Sequence, residues 1–134
     1  MKPCEHCGFE LWLPVAELKV SDLGLYSDGR FPGRCILKLK DHWESLEDLP
    51  EPLALEFHRD LKRSMRAIRL ATGAERINFA VLGNAVPHFH GHLIPRFPDR
   101  ELRPQNSPWD DPRPRHKLAF EEEQSILEAI RLAL

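Results

Sequence analysis

Apolar positions along this chain follow two periods, and the switches between them lay out its elements. Residues 9–27 alternate weakly, which predicts two short strands around Leu18–Val20 and Leu23–Tyr26. Pro32-Gly33 marks a turn. Beyond it Cys35, Leu37 and Leu39 alternate with Ile36, Lys38 and Lys40, as in a strand with one buried face. From Leu53 to Thr72 the period changes. Leu53, Phe57, Leu61, Met65 and Ile68 recur at helical spacing, with Arg59, Lys62, Arg63, Arg66 and Arg69 on other faces. Pro50 and Pro52 suit the first turn of this helix and Gly73 its C-terminal cap. Ile77–Leu82 and His88–Phe97 then read as two strands of an antiparallel hairpin joined through Gly83-Asn84. The tail from Phe120 to Leu134 is amphipathic, with Glu121, Glu122 and Glu123 where negative charge complements the helix dipole. The sum is an α+β domain: an antiparallel sheet, one long helix and a C-terminal helix.

Composition narrows the setting. At 134 residues, residues 1–134 are expected to form a single domain able to bury a core without staples. Prolines crowd between Pro98 and Pro114, so residues 98–118 read as an extended loop before the helix over 119–134. Trp109 within that loop is expected to pack back onto the body or onto a partner. A net charge of -2 gives no global attraction to a nucleic acid polymer or an anionic membrane, and the arginine-rich helix face, diluted by Glu56 and Asp60, reads as solvated surface. No apolar run approaches the ~20 residues that span a bilayer. Lys2-Pro3-Cys4-Glu5 leads into polar sequence rather than an export signal, so the three cysteines are expected to stay reduced in the cytoplasm.

The candidate chemistry sits in His88-Phe89-His90-Gly91-His92, which holds three of the chain's seven histidines. On a strand, residues i, i+2 and i+4 share a face, so the three rings are expected to line one surface ~13 Å long. A neutral imidazole can attack a phosphorus and form a covalent nucleotidyl-histidine, provided its other nitrogen meets an acceptor that fixes the tautomer. The alternative of one catalytic metal held by His88, His90 and His92 fits poorly, because the outer pair on a straight strand stand too far apart for ~2 Å bonds.

His88-Phe89-His90-Gly91-His92-Leu93-Ile94, followed by Pro95-Arg96, resembles the signature of the histidine triad superfamily. The resemblance extends upstream through Phe31-Pro32-Gly33, the Cys35–His42 segment and Ser45–Leu49, covering about residues 4–97. Gly91 departs from the pattern by standing in an apolar slot, and Gly83-Asn84-Ala85 compresses a longer loop and lacks a hydroxyl donor at Ala85. The resemblance implies a nucleotide hydrolase or transferase acting at the α-phosphate. It assigns His90 as nucleophile and His92 as a phosphate contact. Asn84 lies near the phosphates, and Asp28 either holds the ribose hydroxyls or caps the Ser27-Asp28-Gly29 turn. It also implies a homodimer paired through the long helix and an edge strand, with Phe57 and Leu61 able to serve interface or core. The alternative reading is a nucleotide-binding module of the same fold without turnover.

Cys4-Glu5-His6-Cys7 is half of a tetrahedral zinc site by spacing alone. The family resemblance implies completion by His42 and His88, giving a structural zinc; free thiols, or a site using His6, stay open at this point. No organic cofactor is expected. Cys35 reads as an inert core thiol, Trp12 and Trp43 as packing residues, and His58 and His116 as surface residues.

Overall fold

The computed structural model describes residues 1–134. Strands β1 (Leu13–Glu17), β2 (Ser21–Leu25) and β3 (Cys35–Leu39) precede helix α1 (Glu51–Thr72); β4 (Arg76–Ala80), β5 (His90–Arg96) and helix α2 (Phe120–Ala133) follow. The strands form one antiparallel sheet in the order β1-β2-β3-β5-β4, so β5 is central, between β3 and β4. The architecture is the α+β arrangement expected from the periodicity.

Alternation sorts the sheet into two faces. Leu23, Leu37 and Leu39 join Phe57, Leu61 and Ile68 of α1 and Leu127 and Ile130 of α2 in one buried cluster. The other face carries Lys38 opposite His90 and Ile36 opposite His92. Glycine at C-terminal position 73 ends α1 in the left-handed region (φ 71), its N–H bonding to Arg69 O at 2.9 Å.

Three boundaries differ from the sequence reading. Leu18–Val20 is the tight turn between β1 and β2, closed by Leu18 N–H to Ser21 O at 2.8 Å, and Leu18 is buried as a turn residue. The first strand lies earlier, where Pro14 and a bulge between Pro14 and Ala16 obscure the alternation. Arg131 of α2 reaches that bulge, donating to Val15 O at 2.7 Å. The regular ladder of β5 begins at His90 rather than His88, and β4 ends at Ala80 rather than Leu82.

Asp60 is not part of a solvated face. It is buried on α1 and accepts from Val20 N–H (2.9 Å), Ser21 Oγ–H (2.6 Å) and Lys19 N–H (3.3 Å), pinning the β1–β2 turn to the helix. Asp60→Ala strands three donors and is expected to cost about 3 kcal/mol. For a domain of this size that lowers the melting temperature by roughly 10 °C, readable by calorimetry.

Candidate functional site

His90 and His92 project from β5 on the face away from α1, and each Nδ1 has one defined partner. The Nδ1 of His90 lies 2.5 Å from the carbonyl oxygen of His88. A carbonyl only accepts, so Nδ1 carries the proton and Nε2 keeps a bare lone pair. His92 Nδ1 lies 3.3 Å from Nη2 of Arg34. Burial, the Arg34 charge and the neighbouring His90 push the His92 imidazole down to about 4. Phe9 packs against His90 (5.0 Å between ring centroids), and Trp109 meets His92 edge-on at 5.5 Å.

The three imidazoles do not form a continuous reactive row. His88 precedes the regular strand and is wholly buried, its Nε2–H donating to Leu39 O at 2.7 Å. That bond leaves the His88 Nδ1 lone pair facing Cys7 Sγ at 3.4 Å and His42 Nδ1 at 3.3 Å. The cause is the N-terminal segment, which covers His88 with a turn closed by Gly8 N–H to Cys4 O at 2.7 Å.

Cys4, Cys7, His42 and His88 therefore point one donor atom each into a common space, all within 4.8 Å of one another. Tetrahedral zinc with bonds of ~2.05 Å to nitrogen and ~2.3 Å to sulfur has N···N edges of ~3.3 Å and N···S edges of ~3.55 Å. The site shows 3.3 Å for the His42–His88 pair, with 3.4 Å for Cys7–His88 and 3.6 Å for Cys4–His42. What sets the group apart from separate hydrogen-bonded pairs is the convergence of all four donor atoms on one space. Burial pushes the Cys4 thiol up, but backbone N–H groups of Cys7 and His6 outweigh it and hold the thiol below its ordinary range, as a thiolate ligand requires. His6 stacks on His42 at 4.0 Å and contributes no ligand atom to the group. Cys35 is fully buried elsewhere and its thiol is pushed far up by burial, in keeping with an inert core residue.

A cavity of about 950 Å³ lies beside the histidines: Phe9, which packs against His90, and Ile36, paired opposite His92, are among its lining residues. Phe9, Leu11, Trp12, Tyr26, Ile36 and Phe120 supply apolar lining. Trp12 is not a packing residue: it is 87% exposed, standing at the lip of this cavity. Trp43 does pack against the core, and His58 and His116 are exposed.

Asp28 borders the cavity but is only 1% exposed. Its Oδ1 accepts from Arg30 N–H (3.1 Å), capping the turn, and its Oδ2 pairs with Arg30 Nη2 (2.9 Å) and Arg34 Nη1 (3.0 Å). Burial acts to raise its pKa, but the Arg30 hydrogen bonds and both guanidinium charges hold the carboxyl below the usual carboxylate range. Asn84 is exposed in the 81–89 segment between β4 and β5. The structure thus brings His90 and His92 together next to the cavity-lining Phe9 and Ile36, groups Cys4, Cys7, His42 and His88 beside them, and turns Asp28 inward onto two arginines.

Sequence reasoning passed over Arg34 and Arg96. Arg96 is buried, paired with Glu101 (Nη2 to Oε1, 2.6 Å) and donating from Nη1 to Asn78 Oδ1 (2.7 Å) and Asn106 O (2.9 Å). It thereby folds the proline-rich segment so that Trp109 reaches His92. Gly91 also finds its reason here. A Cβ at residue 91 would collide with the ring of Phe79 on β4, which fills the space of the missing apolar side chain.

No protein-family model matches the sequence, and no curated protein matches it. Solved structures do share its fold. A histidine triad protein from Sinorhizobium meliloti 1021 gives a TM-score of 0.81 at 24% identity, over 91% of this chain and 89% of that one. A hypothetical histidine triad nucleotide-binding protein from Sulfolobus tokodaii gives 0.69 at 19% identity, over 90% and 81%. A zinc-bound histidine triad family protein from Mycobacterium smegmatis gives 0.63 at 21% identity, over 90% and 81%. The chain has the histidine triad fold, with His90 and His92 on the central strand and His88 just before it.

Proposed function

We propose that the protein binds a nucleotide and hydrolyses or transfers it through a covalent intermediate on His90. The observation that carries this reading is the 2.5 Å contact from His90 Nδ1 to the His88 carbonyl, which leaves the Nε2 lone pair of an oriented ring free as the nucleophile. The Nε2 lone pair attacks the α-phosphorus, an N–P bond forms, and the bond to the leaving group breaks with its electron pair. Nδ1–H stays on the His88 carbonyl, which stabilises the charge the ring acquires. His92 donates to a phosphoryl oxygen, and Asn84 of the 81–89 segment contacts the phosphates. Water or an acceptor then displaces nucleotide from His90. The apolar cavity with Tyr26 and Trp12 suits a base and sugar. The inward-facing Asp28 supports a role in placing arginines over direct contact with ribose.

A dinucleoside polyphosphate and a nucleoside phosphoramidate both present the required α-phosphorus. Incubating the purified protein with each, and measuring nucleoside monophosphate release by chromatography, tests the reading. Binding with no release from any member would favour the non-catalytic alternative, to which the missing hydroxyl at Ala85 points.

The same proposal includes a structural zinc on Cys4, Cys7, His42 and His88, supported by the tetrahedral spacings and by the zinc-bound relative in fold. Bound there, the ion would tie the N-terminus to the triad strand; with four protein ligands it leaves no open position for substrate. It also includes residence in the cytoplasm. The structure's own finding is that no helix is long and apolar enough to cross a membrane.

Finally, the proposal includes a homodimer. Phe57 and Leu61 lie in the core and are spent there. β4 is an edge strand, and Phe79, Val81 and Leu82 on and beyond it are exposed, as a pairing surface would be before assembly. Light scattering at micromolar concentration is expected to give twice the 15.5 kDa chain mass; the single mass would refute pairing.

A further inference from the structure

We propose that Arg34 is a positioning residue that locks His92 as a neutral hydrogen-bond donor aimed at the phosphoryl group. The proposal deepens the reading of His90 as nucleophile and rests on it for the identity of the acceptor. Arg34 sits immediately before β3, with Nη2 3.3 Å from His92 Nδ1. A guanidinium has five N–H donors and no acceptor, so His92 Nδ1 must offer its lone pair. A neutral imidazole with Nδ1 bare carries its only proton on Nε2. The two neighbouring rings therefore have opposite polarity: Nε2 of His90 is bare and attacks, whereas Nε2 of His92 bears the hydrogen and donates.

Arg34 is itself held in place. Its Nη1 pairs with Asp28 at 3.0 Å, and its guanidinium carbon lies over the Tyr26 ring, 4.2 Å from the centroid, and 5.9 Å from the centroid of the Trp109 ring. Only a planar, forked cation makes these contacts together; the point charge of a lysine cannot. The side chain is 7% exposed, and its Nε–H has no partner. A buried guanidinium with an unmet donor is a poor device for stability, since apolar replacements at such positions often stabilise. What Nη2 does to His92 gives the buried charge a function instead.

The same contact opposes protonation of His92, because a second positive charge would stand against Nη2. The groups facing His92 are Arg34 before β3, His90 on β5 and Trp109 of the proline-rich segment. Behind Arg34 lie Asp28, Arg30, which shares that carboxylate, and Arg115, which lies over the Tyr26 ring. Asp28 is the one acid in the set and is occupied by the two arginines, so the net field at His92 is positive and favours the neutral ring.

Long-range proton–nitrogen NMR on the substrate-free protein, labelled at histidine, reads tautomer and titration directly. Wild type is expected to show His92 with its proton on Nε2 alone and no titration between pH 5 and 8. Arg34→Met is expected to raise the His92 titration part of the way toward the ordinary imidazole range near ~6.5, because burial, the larger cause of its depression, stays in place. It should lower kcat on the order of 10²-fold with KM little changed, as for a weakened oxyanion donor. Arg34→Lys, which restores a donor and a charge, should recover part of both. A proton on Nδ1 of His92 in the wild type would overturn the proposal, whether or not any variant folds. So would a folded Arg34→Met in which His92 titrates as before, which would leave Arg34 a structural residue. Because these signals need no substrate, they stand apart from failure of the His90 reading, which would appear as wild-type turnover in His90→Ala.

Discussion

His90→Ala is expected to lose between about 10³- and 10⁶-fold in turnover while keeping its fold, the range seen when a nucleophile acting within a catalytic unit is removed. The magnitude follows from what the ring supplies. With the nucleophile gone, water must attack the α-phosphorus directly, and the single difficult displacement is no longer divided in two. Binding should survive, because the cavity residues Tyr26, Trp12 and Ile36 are untouched. KM is therefore expected to change far less than kcat. His90→Asn, which retains a donor toward the His88 carbonyl, should be as inactive as alanine, which separates the nucleophile from the packing. His92→Ala, by contrast, removes one donor and is expected to lose about 10²–10³-fold. Steady-state rates for the three variants, with melting curves to establish folding, check the ordering. Turnover by His90→Ala at the wild-type rate would contradict it.

The second large effect concerns the metal group. Purified protein is expected to carry about one zinc per chain. At free metal about 1,000-fold above its Kd, binding stabilises the fold by about 4 kcal/mol, so chelation should lower the melting temperature by roughly 10–15 °C. The size reflects topology as well as chemistry. Cys4 and Cys7 lie in the N-terminal segment, His42 follows β3, and His88 precedes β5, so the ion would tie the N-terminal segment to the ends of two adjacent central strands. Cys4→Ser/Cys7→Ser should show the same low melting temperature with or without chelator. Activity should fall only partly in that variant, because His88 supplies the carbonyl that fixes His90 and loosening one loosens the other. Elemental analysis with calorimetry reads both. Metal-free protein melting at the same temperature as the native preparation would rule out the four-ligand site.

Much of this was legible in the chain, and the failures share a cause. The helix, the strands and the triad announce themselves through period 3.6, period 2 and three alternating imidazoles, all of which are local signals. His88 illustrates the limit. Its spacing places it in the row, but its environment is set by residues 4–9, some eighty positions away, which cover it and claim its Nδ1. Asp60 looks like one more polar residue on a charged helix until the β1–β2 turn arrives with three donors. Arg34 bears no spacing signature; only the pairing of β3 with β5 brings it to His92. Asp28 was legible as a turn cap because that bond is two residues long, whereas its pairing with Arg34 depends on the folded turn. Gly91 was visible as a departure, but its reason, the ring of Phe79, lies on another strand.

The central claim is that His90 forms a covalent bond to nucleotide, and it has a direct measurement. An N–P bond to imidazole is labile in acid and survives alkali. Wild-type protein mixed with an α-phosphate-labelled dinucleoside polyphosphate or nucleoside phosphoramidate, quenched in base and digested, can be mapped by mass spectrometry. The account predicts a nucleoside monophosphate adduct on the peptide containing residues 88–92, located at His90 and absent from His90→Ala. Product release with the adduct on another residue, or an adduct that persists in His90→Ala, would contradict it.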